Sequence, residues 1–413
     1  MTDPSPAHPS LAEFEEAAAA LEGVAIRTPV ENSNHLSDVL GAPVRLKLEN
    51  LQRTGSFKIR GATYRLSRLT EEERARGVVA ASAGNHAQGV ALGAHKLGIA
   101  ATIFMPLGVP VPKLLATRGY GADVVLHGAV FEEALQAAQE FAERTGAVFI
   151  PPYDHRDVVV GQGTLGLELF EDVPDLDTIL VGIGGGGLAA GVAAAVKARA
   201  AVEGRTVRVI GVQAENSAAY PPSLAAGSPH TVVTTPTIAD GIAVARPGEI
   251  PFAIIRDLVD EVVTVTDDDI ARAILVLLER AKQVVEPAGA VGVAAILAGK
   301  VVPSGTTVAI LSGGNIDPLL LQRVVAHGLA ASGRYMTLQI PLPDRPGQLA
   351  RVSELLATVG ANVIEVLHTR HGQGLQISEV ILQLSVETRG DEHRALVLSV
   401  LEEAGYAPRL LPD

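Results

Sequence analysis

The sequence predicts an α/β protein built on parallel sheets, followed by a smaller C-terminal α+β domain. Three observations carry that prediction. Apolar runs without alternation recur at 178–183, 207–213 and 307–311, as expected of strands covered on both faces. Helical patterns fall between the strand runs, which implies crossover helices and parallel pairing. Near residue 330 the texture changes to β-α-β-β-α-β, the ferredoxin-like order.

The elements follow in order. Ser10 and Glu13 read as a capping box opening a helix that runs to Ala20. A strand is expected at 44–48. The short strand Val78–Ala81 leads into a helix at 85–97, and the strand Ala101–Met105 into a proline-rich loop and a helix at 113–118. Asp123–Leu126 is a strand, and 131–144 has apolar residues at helical spacing. The strand 178–183 runs through a glycine turn into a helix at 189–197. The last strand of this part, 307–311, precedes a helix at 317–329. Residues 326–333, AHGLAASG, read as a helix end and linker, so a boundary is expected at 331–334 between domains 1–330 and 335–413. The tail reads as strand 335–342, a PDRPGQ turn, helix 349–359, strand 362–370, a turn at 371–374, strand 375–387, helix 391–404 and strand 406–411.

Composition bounds the function. At 413 residues the chain is too long for a single ordinary core. With 47% apolar and 19% charged residues it is globular. The absence of cysteine excludes disulfides, thiolate metal sites and cysteine nucleophiles. A net charge of −13 argues against nucleic-acid and anionic-membrane partners. The start, MTDPSPAHPS, lacks the basic and apolar regions of a signal peptide. The uncharged stretch 178–196 is long enough to span a bilayer, but its four consecutive glycines fit a buried strand, turn and helix better. A soluble cytoplasmic protein is expected.

Four constellations carry chemistry. Lys58, in SFKIRGA, sits at a helix start among apolar neighbours, where burial disfavours its charged form and leaves a usable amine; the plain alternative is a solvated lysine. Ser82, Ala83, Gly84, Asn85 and His86 lead from a strand into a helix, so their backbone N–H groups suit a carboxylate; the alternative is simple capping by Ser82 or Asn85. Gly184, Gly185, Gly186, Gly187 and Leu188 let the backbone close on a phosphate at a helix start. This run lacks the lysine of a nucleotide P-loop and the spacing of a dinucleotide fingerprint, so the phosphate carries no nucleotide. Ser312, in SGGN, places a hydroxyl at the carboxyl end of a strand, where ligands lie in open α/β sheets; the alternative is a helix cap. One ligand with a phosphate, an amine-reactive carbon and a polar ring atom satisfies all four, and pyridoxal 5′-phosphate has these parts.

The motifs SFKIRGA at 56–62, SAGNHAQG at 82–89, GGGGL at 184–188, ADGIAV at 239–244, EPAGA at 286–290 and SGGN at 312–315 stand in family order. The chain therefore resembles the tryptophan-synthase-β-like, fold-type II pyridoxal phosphate enzymes, and within them the threonine ammonia-lyases. The tail, with DRPGQLARV at 344–352, resembles an ACT regulatory domain. The resemblance implies two subdomains with parallel sheets, the smaller, about 51–155, inserted in the larger. It implies that Lys58 forms the Schiff base and then removes the Cα proton, that Asn85 bonds the cofactor's 3′-oxygen, and that the backbone of 82–86 holds the substrate carboxylate. Gly184 to Leu188 would take the phosphate and Ser312 the pyridine nitrogen. Threonine would yield 2-oxobutanoate and ammonia, and serine would yield pyruvate. A neutral hydroxyl at the ring nitrogen suits elimination, because a long-lived carbanion is then less favoured.

Serine racemase shares these motifs and is the near rival. Its second proton donor is a serine where this chain has Ala83, which donates none. Its cation site is partly matched by Glu215 alone, so a metal stays unassigned. A non-catalytic amino-acid sensor would be expected to lose Lys58 or the glycine run, and both are intact. The ACT resemblance implies an effector at the turn containing Asp344, Pro346, Gly347 and Gln348. Isoleucine is the natural candidate by end-product logic, with valine second, and the alternative is a dimerisation module without ligand. A homodimer or homotetramer is implied by the family.

Overall fold

The computed structural model describes residues 8–370 and 378–411. Contacts divide it into two compact units, Met1–Asp317 and Pro318–Asp413. The helix Pro318–Ala331 packs on the strand Tyr335–Pro343 and so falls in the second unit, ahead of the linker read at 331–334.

Two sheets form the first unit. The larger has the spatial order Val30–Asn32, Val44–Lys47, Thr306–Ile310, Leu176–Gly182, Arg208–Ala214, Glu261–Val265. Its strands pair in parallel except for the first, antiparallel pair. The smaller sheet, Asp123–Leu126, Ala101–Met105, Val78–Ala81, Val148–Phe149, is parallel throughout. Apolar strands buried on both faces need helices on both sides, and the intervening helices supply them. The capping box forms as read, Ser10 and Glu13 each satisfying the other's backbone N–H at the start of Leu11–Ala20.

Two features of the interior set the site. The helices Arg156–Asp172 and Gly187–Glu203 cross so closely that a Cβ on Gly191 would strike the Val159 carbonyl, and one on Gly163 would strike the Phe14 ring. The uncharged stretch 178–196 is thus a buried strand, turn and helix. Among the described residues no helix is long and apolar enough to cross a membrane. The second feature is a buried ion cluster. Arg60 meets Glu49 through two bonds of 2.8 Å and Glu168 at 2.6 Å, while Lys47 meets Glu168 at 2.6 Å. It joins the strand Val44–Lys47, the turn after it and the helices Lys58–Ser67 and Arg156–Asp172. A bidentate guanidinium fixes direction as well as distance.

The second unit carries a four-stranded antiparallel sheet ordered Asn362–Thr369, Glu379–Glu387, Tyr335–Pro343, Arg409–Leu410, with the helices Gln348–Thr358 and Asp391–Glu403. Alternate residues of Tyr335–Pro343 are buried, Met336, Leu338, Ile340 and Leu342 among them. The turn read at 371–374 lies outside the described residues.

Candidate active site

The four constellations come together within the first unit, at the carboxyl ends of strands from both sheets. Lys58 is the first residue of the helix Lys58–Ser67. Its Nζ donates to the Pro152 carbonyl at 2.9 Å. Burial pushes this amine down to about 8, with the nearby Glu286 opposing. An amine at that value is partly neutral near physiological pH and able to act as nucleophile and base.

Ser82 to His86 follow the strand Val78–Ala81. The helix Asn85–Lys96 begins after Gly84 with no side-chain cap. Capping was the plain alternative here, and it is not what the side chains do. Ser82 accepts from the Gly84 N–H at 3.1 Å, and Asn85 bonds to Glu286 and Asn315 instead. His86 is buried, and its Nε2 donates to the Ile150 carbonyl at 2.9 Å. Burial, then the Lys58 amine, hold the imidazole down at about 3, so it is neutral.

The glycine run links the strand Leu176–Gly182 to the helix Gly187–Glu203. Gly186 has φ +103°, and a Cβ there would strike the Tyr220 hydroxyl. A Cβ on Gly185 would lie 2.5 Å from the Tyr153 ring. No side chain caps the helix, and the buried N–H groups of Gly187, Leu188 and Ala189 have no acceptor among the described residues. Ser312 follows the strand Thr306–Ile310 and is buried, and its carbonyl accepts from the Phe57 N–H at 3.1 Å. It is not a helix cap, since the next helix starts only at Pro318. These residues fit pyridoxal phosphate: an uncapped, buried helix start for the phosphate, a desolvated lysine for the aldehyde carbon, and a buried hydroxyl for the ring nitrogen.

Three contributors escaped sequence reasoning. Glu286 opens the EPAGA motif, and its Oε1 accepts from Asn85 Nδ2 at 2.7 Å. Burial first, then Asp240, raise its carboxyl to about 7. Tyr153 packs on the glycine run, and Asp154 caps the helix Glu249–Leu258 through the N–H groups of Glu249 and Ile250. The signal for both was the PPYDH string at 151–155, whose partners lie far away in sequence. Among the described residues no cluster of three or more His, Asp or Glu could hold a metal ion.

The two-sheet fold and this site define a pyridoxal phosphate enzyme. The chain belongs to the pyridoxal-phosphate dependent enzymes, whose family model matches residues 21–313. Within that family it is 47% identical over 403 residues to the L-threonine ammonia-lyase of Thermotoga maritima, covering 97% of this chain and 99% of the relative. It is 48% identical over 305 residues to the L-threonine dehydratase catabolic TdcB of Escherichia coli, covering 73% and 92%. The structure of maize serine racemase superposes with a TM-score of 0.73 at 36% identity, covering 78% of this chain and 99% of that one.

In the second unit, Asp344, Pro346, Gly347 and Gln348 line one cavity of about 220 Å³. Leu342, Val380 and Leu382 contribute apolar surface to it, and Arg345, His368 and Arg370 contribute polar groups.

Proposed function

We propose that the chain deaminates L-threonine to 2-oxobutanoate and ammonia, and L-serine to pyruvate, in the cytoplasm. The observation that carries this reading is the desolvated Lys58 amine at the meeting point of the carboxylate loop, the glycine run and Ser312. The whole-length likeness to an L-threonine ammonia-lyase supports the choice of reaction.

Pyridoxal phosphate, when bound, supplies an electron sink for the charge left at Cα once its proton is removed. The chain does the rest. Lys58 accepts the Cα proton. The backbone N–H groups of Ser82 to His86 hold the substrate carboxylate, and those of Gly184 to Leu188 hold the cofactor phosphate. Asn85 gives an N–H to the 3′-oxygen, and Ser312 faces the ring nitrogen with a neutral hydroxyl. Water leaves from the β-carbon and water returns at the α-carbon, so the balance is threonine to 2-oxobutanoate plus ammonia. Ala83 has no proton to give the opposite face of Cα, which favours elimination over racemisation despite the shared fold.

The second unit reads as an ACT domain. Its cavity supports a small amino acid as effector, with the Asp344 to Gln348 turn and Arg370 at the zwitterion and Leu342, Val380 and Leu382 around a branched aliphatic side chain. Isoleucine, ahead of valine, fits an enzyme serving isoleucine synthesis, and the assembly is a homodimer or homotetramer.

The test is an assay for ammonia and 2-oxo acid on L-threonine, L-serine and D-serine, with and without isoleucine. L-threonine should turn over fastest, and Lys58→Ala should abolish turnover. Interconversion of L- and D-serine without ammonia release would establish the racemase instead.

A further inference from the structure

Asn315 has none of the roles assigned above, yet its side chain bonds to two other segments of the site. Its Nδ2 donates to the Thr54 carbonyl at 2.6 Å and to Asn85 Oδ1 at 2.8 Å. Asn85 Nδ2 donates in turn to Glu286 Oε1 at 2.7 Å. The segments before Lys58, after Ala81 and around Glu286 are therefore linked through two amides in series, those of Asn315 and Asn85.

The direction of this relay is fixed from one end. A backbone carbonyl only accepts, so the nitrogen of Asn315 must face Thr54. The same nitrogen faces Asn85, which therefore turns its oxygen to Asn315 and its nitrogen to Glu286. One N–H of the Asn85 amide remains beyond the one given to Glu286. The anchor is rigidly placed. Thr54 has φ +63°, a left-handed backbone rare for a residue with a side chain. Gly55 follows at φ +70°, and a Cβ there would strike the Asn315 amide. The Gly314 N–H donates to the Gly55 carbonyl at 2.9 Å, clamping the two loops together.

We propose that Asn315 is a positioning residue: anchored on the Thr54 carbonyl, it holds the Asn85 amide so that its remaining N–H is the one offered to the 3′-oxygen of bound pyridoxal phosphate. The inference rests on the role proposed above for Asn85. The same anchor ties that N–H to the segment carrying Lys58, so cofactor contact and base share one reference point. The charged groups around the relay are Glu286, Lys58, Asp240 and Lys113, the last two paired at 3.5 Å.

The experiment is a pH titration of the visible absorption band of the holoenzyme. It compares the parent, Asn315→Asp, Asn315→Ala, Asn85→Ala and the double Asn85→Ala/Asn315→Ala variant, each with its Tm. Asp keeps the shape of Asn but has no N–H for Thr54 or Asn85. Both single Asn315 variants should shift the titration by about one pH unit, the worth of one hydrogen bond to a charged group. In the Asn85→Ala background, Asn315→Ala should add nothing. Parent-like titration of the Asn315 variants, where Asn85→Ala does shift it, overturns the proposal, and so do additive effects in the double variant. An unshifted Asn85→Ala overturns the role given to Asn85 instead. Should the Asn315 variants fail to fold, the parent holoenzyme labelled with 15N-asparagine supplies the test. The side-chain amide protons of Asn85 and Asn315 should exchange slowly with D2O, and fast exchange would overturn the proposal.

Discussion

At the scale of single residues, a buried carboxyl and a half-buried amine titrate in opposite senses. The Glu286 carboxyl is raised from 4.5 to about 7. Between those values the folded chain binds more protons than the unfolded one, so the stability of the cofactor-free protein falls as pH rises through that window. Glu286→Gln removes this decline and should raise the Tm of the cofactor-free protein by a few degrees above about pH 7, as calorimetry at several pH values would check. The Lys58 amine is lowered from 10.5 to about 8. In that window the folded chain binds fewer protons, so stability rises with pH, and Lys58→Met should flatten the rise. Lys58 was legible in the sequence because it stands at a helix start among apolar and glycine neighbours and because the other three constellations call for the same ligand. Glu286 was not, because a glutamate before a proline reads as an ordinary helix start. Only its packing against Gly313 and Asn85 makes it part of the site.

At the scale of elements, the glycine run proposed to hold the phosphate has a second task. Gly185 and Gly186 also make room for Tyr153 and Tyr220, which no local pattern announces. Gly185→Ala should therefore weaken cofactor binding roughly tenfold or more, by forcing the Tyr153 ring out of place. A cofactor titration measures this. Gly84→Ala is the control, because its Cβ would meet no protein atom within 4 Å. Its Tm should stay near the parent value, and any effect should fall on the KM for threonine. The buried cluster of Arg60, Glu49, Glu168 and Lys47 is the second device at this scale. Arg60→Met leaves Glu49 buried without its partner, which should cost about 3–5 kcal/mol, and denaturant unfolding would read it. The sequence showed Arg60 two places from Lys58 but nothing of its partners, since Glu168 lies in a helix more than a hundred residues away.

At the scale of the molecule, strand runs and their alternation with helices gave the parallel sheets, and the βαββαβ order of the tail came out of turn and period alone. What escaped was membership. The helix Pro318–Ala331 looks like the last element of the first unit because it follows a strand of that sheet. Its contacts place it with the second. Contacts of that kind are set by distant apolar faces, not by local texture. A chain ending at Asp317 should keep turnover of L-threonine and lose any response to isoleucine. Steady-state kinetics with and without isoleucine would test this, and a retained response would refute control through the tail.

The crossing of the helices Arg156–Asp172 and Gly187–Glu203 has a consequence for how the chain tolerates change. Their contact is made by Gly163, Gly191, Ala195 and other small residues, so there is no slack for one added methyl group. In a saturation mutagenesis screen for growth, the conservative exchange Gly191→Ala would be depleted as strongly as a loss of Lys58. The screen would mark a seam between two helices, and a hit there would report on how near two backbones must come rather than on any atom that meets a substrate.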